Sequence, residues 1–255
     1  MMLRMFVLFL VFCLLFCGSV FAQVEMDRKS ISPLVAAVDL NIPRNAKKEF
    51  EKAGEFMAKH DWTQAIEKLQ HTTAIYPGYA VAYNNMAVAY AHLGDPTRER
   101  EALEKAISIN DHLALAYLNL ARMHISVDDF PRAEPLLRQA SALDPGDAIT
   151  LILLAYSELM DQHLDQAIAT CRKAHALTRP HAVAHRLAAR ALEKKNQIAE
   201  AVAELNLFLS EEQPGPRAES ARQELAILQT IPDDGIRAAE SCPFHFHPSD
   251  RYVLP

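Results

Sequence analysis

The 255-residue chain is half apolar, holds only 7 glycines and carries 26 basic against 32 acidic side chains, a formal net charge of −6. So little glycine in so apolar a chain suits a helical array and excludes a disordered tail or a β-sandwich. The acidic balance argues against nucleic acid as a partner, because affinity for phosphate backbones comes from lysine and arginine.

In chain order, Arg4 precedes the apolar run Phe6 to Phe16, followed by Gly18, Ser19, Val20, Phe21 and Ala22. A positive start, an apolar core and small residues before the cut predict an export signal over residues 1–22, cleaved between Ala22 and Gln23. Two alternatives stay open. Met5 to Ala22 carries no charge and would serve as an uncleaved membrane anchor, and Cys17 would carry a lipid, although Phe16 is bulky for that motif. The expected location is periplasmic or secreted, with membrane anchoring as the alternative. Cleavage removes Arg4, Cys13 and Cys17, which makes the mature chain one unit more acidic and leaves Cys171 and Cys242. Cys171 shares an apolar helical stripe with Ala167 and Ala174 and reads as a small buried hydrophobe, whereas Cys242 reads as exposed.

Residues 23–45, with Pro33 and Pro43, read as an extended lead-in. From there a period of 34 residues takes over. Ala53, Ala87, Ala121, Ala155 and Ala189 form one ladder; Ala65, Ala133, Ala167 and Ala201 form a second, broken by Glu99; Thr72, Ala106, Ala140, Ala174 and Phe208 form a third. Periods of about 20 to 50 residues mark arrays whose units bury their apolar faces only against one another. Five units follow, over 46–79, 80–113, 114–147, 148–181 and 182–215. Tyr117, Leu120, Ala121 and His124 recur at helical spacing and share a face, while Asp95 and Asp129 suit the short turns and Pro77, Pro145 and Pro180 stop the second helices. Ala218, Ala221, Leu225 and Leu228 predict a capping helix over 216–230, and residues 231–255 carry no helical period.

The motif within each unit resembles the tetratricopeptide repeat. The second unit reads Tyr83, Met86, Ala87, Tyr90, Gly94, Asp95, Leu103 and Ala106, and the third Tyr117, Leu120, Ala121, Phe130, Ala133, Leu137, Ala140 and Pro145, with His124 in the second Tyr slot. The fifth drifts furthest, placing His185 in the first large slot and Ala188 where Leu is usual. The resemblance implies an all-α fold, a right-handed superhelical solenoid of helix-turn-helix units, and a ligand groove on the first helix of each unit. Carried onto this chain, the groove is Asn84, Asn85, Val88 and His92 in the second unit, then Leu115, Leu118, Asn119, Arg122 and Ile125 in the third. Ile149, Ile152, Leu153, Tyr156 and Met160 follow in the fourth, and Arg186, Arg190 and Lys194 in the fifth, so the wall runs from amides through apolar residues to bases. The two-carboxylate clamp of some family members is not expected, since only Asn85 fits it.

No phosphate loop, nucleophile elbow or zinc-site cysteine spacing is present. His181 with His185, and His245 with His247, are the nearest approach to metal ligands, and two ligands without a third are weak grounds. The run Arg98 to Glu101 reads as a solvated outer face. The expected function is therefore non-catalytic, without cofactor or metal: a scaffold or adaptor for another protein or peptide, with the chain's own tail (Phe244, Phe246, Tyr252, Val253, Leu254) as one candidate occupant. The alternatives are an accessory or regulatory subunit of an envelope enzyme, and a metal- or small-molecule-binding enzyme.

Overall fold

Asp95 shows how the sequence builds this fold: its carboxylate accepts a hydrogen bond from the Arg98 backbone N–H at 3.0 Å, capping a helix that Pro96 opens with a preset φ. The computed structural model describes residues 42–177 and 182–231, and among these every regular element is an α-helix. They are α1 Arg44–Ala58, α2 Trp62–Ile75, α3 Ala80–Leu93, α4 Pro96–Ile109, α5 Ala114–Ser126, α6 Phe130–Leu143, α7 Ala148–Met160, α8 Leu164–His175, α9 Ala182–Lys194, α10 Ile198–Glu211 and α11 Pro216–Leu228. Odd-numbered first helices alternate with even-numbered second helices. From α2 to α10 the second helices start at 62, 96, 130, 164 and 198, and from α3 the first helices start at 80, 114, 148, 182 and 216. The step is 34 throughout, so α11 stands where the first helix of a sixth unit belongs.

Each hairpin turns in the same way. A residue with φ between 58° and 71° recurs at His60, Gly94, Asp128, Gln162 and Asn196, and only one of the five is glycine. One residue later a backbone N–H reaches back five positions, from Asp61 to Phe56, Asp95 to Tyr90, Asp129 to His124, His163 to Glu158 and Gln197 to Leu192, at 2.7–3.0 Å. This is the Schellman closure, which satisfies carbonyls that the end of a helix leaves unpaired. The residue that closes the first helix also sits at the N-cap of the second, so the turn has no slack.

The alanine ladders are the core. Every member of the three ladders, Thr72 and Phe208 included, is at most 1 % exposed. Small side chains there let helix backbones approach closely, and Leu69, Leu103, Leu137 and Leu205 fill the space between, each fully buried. Burying one such leucine contributes about 1.5–3 kcal/mol. Each helix packs on its neighbours in the chain, and α3 also meets α5 and α7 meets α9, which makes the array a helical-repeat solenoid.

The predicted signal, anchor and lead-in up to residue 41, Pro180, His181, and the tail from 232 with Cys242, His245, His247 and its apolar residues lie outside the described residues. Arg44 and Asn45, expected in the lead-in, begin α1 after Pro43. No helix among the described residues is long and apolar enough to cross a membrane. Cys171 is buried and free, and burial pushes its thiol pKa far up.

Candidate binding surface on the first helices

At the amide end, Asn119 Nδ2 on α5 donates to Asn84 Oδ1 on α3 at 2.9 Å, tying two successive first helices together. Asn84 is buried in that bridge, while Asn85, Val88 and Asn119 are half-buried. His92, at the end of α3, stacks flat on Trp62 with ring centroids 3.9 Å apart and planes 4° apart. Its imidazole thus fastens the second unit to the hairpin turn of the first.

The middle departs from the expected open apolar wall. Ile152 is 1 % and Tyr156 3 % exposed, and Leu118 and Leu153 are buried with them, leaving only Ile149 and Met160 half-buried on α7. The cause is packing on several sides at once: α7 lies against α6, α8 and α9, and Tyr156 meets the Phe130 ring edge-on at 5.6 Å. A helix that is apolar all round is here a core helix. What stays accessible is a stripe on α5, where Leu115 is 47 % exposed, Asn119 and Ile125 are half-buried and Arg122 reaches solvent. Desolvation lowers the Arg122 pKa while Asp147 raises it, the situation of a charge that touches water from within a wall of protein.

The basic end is also reassigned. Arg186 is buried; its Nη2 donates to Ser220 Oγ at 2.9 Å and lies 3.4 Å from Glu224 Oε2, and its guanidinium stands over the Phe208 ring. Arg190 Nε is 3.7 Å from the other oxygen of Glu224. Both arginines therefore seat α11, and of the three bases only Lys194 is fully exposed. Sequence reading missed Glu224 because its partners lie on another helix, although Arg190 and Glu224 share a register position.

Glu158 was missed as well. It fills the slot of Phe56, Tyr90, His124 and Leu192, and is buried there with Arg138 Nη2 at 2.9 Å. Burial raises its pKa above the usual carboxylate value, against the opposing pull of a Thr170 hydrogen bond and of Arg138.

Models of the tetratricopeptide repeat match residues 80–112 and 118–182. No curated protein matches the chain in sequence. Among solved structures it is similar to PilW, a type IV pilus biogenesis factor (TM-score 0.63, 17% identity, covering 77% of this chain and 90% of that one). It is also similar to YrrB, a tetratricopeptide protein described as having an unusual peptide-binding site (TM-score 0.61, 16% identity, 70% and 92%). A third is MamA from Desulfovibrio magneticus RS-1 (TM-score 0.59, 18% identity, 71% and 98%). At these identities the likeness is one of fold.

Proposed function

The chain belongs to the tetratricopeptide repeat family, and from that premise we propose that it is a non-catalytic scaffold holding a protein or peptide against its first helices. The observation that carries the proposal is the α5 stripe, in which Leu115, Asn119 and Arg122 fall on one face at helical spacing. An exposed leucine, an amide and a partly desolvated guanidinium offer an apolar anchor, backbone hydrogen bonding and a cation to one extended segment. YrrB, with its peptide-binding site, supports this use of the fold. The export signal read over residues 1–22 supports a periplasmic or secreted location, with membrane anchoring as the alternative, and PilW, a type IV pilus biogenesis factor of similar fold, supports a role in assembly. The apolar tail is one candidate occupant, and deletion of residues 241–255 then increases capture of a partner.

The test uses surface residues, because charge at Ile152 or Tyr156 breaks the core. The chain carrying Leu115→Asp with Arg122→Glu loses the partner that the wild-type chain recovers from extracts of the producing cells, and Lys105→Glu on the exposed side of α4 keeps it. Equal recovery by all three chains contradicts the proposal.

A further inference from the structure

We infer that the junction of α8, α9 and α10 is a divalent metal site of the zinc class, built from His175, His185 and Glu211. The repeat itself exposes the anomaly. His185 occupies the slot that holds Glu49 in the first unit and Tyr83, Tyr117 and Leu151 in the next three, and Glu211 the slot that holds Ile75, Ile109, Leu143 and Leu177. Two positions that are aromatic or aliphatic in the second to fourth units thus become metal-ligating types together in the fifth, and His175, the last residue of α8, joins them.

The three side chains converge. His185 Nε2 lies 3.7 Å and His175 Nδ1 3.9 Å from Glu211 Oε1, the two rings are 4.3 Å apart, and the three donor atoms all lie within 4.8 Å of one another. A tetrahedral zinc with bonds of about 2.0–2.1 Å wants donors roughly 3.3 Å apart, so closure asks for small shifts. His175 and Glu211, at helix ends and partly in solvent, are free to make them.

A second observation points to the ligand. The His185 side chain is only 7 % exposed, and its Nε2 is buried without a hydrogen-bond partner. The other ring nitrogen is already held, since Nδ1 lies 2.6 Å from Glu204 Oε2. An ionised carboxylate only accepts, so Nδ1 carries the proton toward Glu204, and in the neutral ring Nε2 is the atom that offers a lone pair to the cluster. A carboxylate that orients a histidine whose far nitrogen is bare is the supporting arrangement of metal-bound imidazoles. Two imidazoles and one carboxylate suit zinc, cobalt or nickel, whereas calcium and magnesium prefer oxygen ligands throughout.

The group Glu134, Asp161 and His163 is also clustered, but Arg138 already donates to Glu134 at 2.8 Å and His163 Nδ1 sits 2.8 Å from the same carboxylate. That charge is balanced within the protein. A metal at the α8–α10 site, by contrast, would fasten the fourth unit to the fifth.

The test titrates zinc chloride into the tag-free full-length chain after chelator treatment, by calorimetry, with cobalt chloride absorption as a second probe. The expected result is one saturable site whose occupation raises the melting temperature. His175→Ala and Glu211→Gln each weaken binding at least ~10-fold, and Glu204→Gln weakens it about 10- to 100-fold with the stoichiometry kept. His163→Ala leaves the site unchanged. Circular dichroism of the unloaded variants confirms that they are folded; the substituted side chains at 175 and 211 are the more exposed ones. Absence of saturable binding, binding unaffected by His175→Ala and Glu211→Gln, or loss of binding in His163→Ala overturns the inference.

Discussion

Asn84 and Asn119 face each other from successive first helices and share one amide hydrogen bond of 2.9 Å, so this part of the wall is held by a polar bridge between units. The buried Asn84 oxygen depends on that donor. Asn119→Ala is expected to cost about 1–2 kcal/mol in urea unfolding, and an Asn84/Asn119 double-mutant cycle is expected to show coupling of ~1 kcal/mol. Additive single effects would contradict a bridge.

Gln162 adopts φ 63° in the hairpin turn where the second unit uses Gly94 at φ 71°. Gln162→Gly removes that strain and is expected to stabilise the chain by about 0.5–1 kcal/mol, since the dihedral relief exceeds glycine's greater unfolded-state entropy. Gly94→Ala is expected to cost ~1 kcal/mol. No atom lies within 4 Å of the added Cβ, so the cost is in the dihedral alone. Paired thermal melts check both signs.

Glu224 neutralises Arg186 and Arg190 beneath α11. Glu224→Ala leaves the Arg186 charge buried without its carboxylate and is expected to cost on the order of 3 kcal/mol. Hydrogen exchange locates the effect: amides of α11 and α9 lose protection first, while those of α3 and α4 keep theirs.

Glu158 gives a pH signature. Its folded-state pKa is raised by burial, so in the window from its ordinary 4.5 upward the folded chain holds more protons than the unfolded one. Stability through this group is therefore complete at low pH and declines as pH climbs through that window. Glu158→Gln removes the decline: the variant is expected to gain stability over wild type at pH 7 and to show a smaller difference at pH 4. Arg138 is half exposed and retains Glu134, so the substitution strands no buried charge.

Cys171 is buried, and its thiol pKa is raised by desolvation first and then by the nearby carboxylates of Glu204 and Glu158. A thiolate reagent is expected to label it only on unfolding, with the labelling rate following denaturant concentration. Rapid native labelling would contradict this packing.

The alanine ladders were legible because a fixed period exposes every small-residue slot at once, and the same period locates both helices of each hairpin. Burial around α7 was not legible. An apolar run such as Ile149 to Tyr156 has the same pattern whether its outer face is covered or open, and only the placement of α6, α8 and α9 decides it. Arg186 and Arg190 read as a basic wall because sequence spacing cannot show that Glu224 lies under them. His185 stood out as a departure from the repeat, yet local spacing paired it with His181, whereas the hairpin stacking brings His175 to its ring.

The central claim, that partners are held on the first helices, is tested most directly by photo-crosslinking in the producing cells. A photoreactive side chain is placed at Arg122 on α5 or at Lys105 on α4, both exposed. The account predicts a discrete protein adduct from position 122 and none from position 105. Adducts from position 105 alone, or equal adducts from both, contradict it.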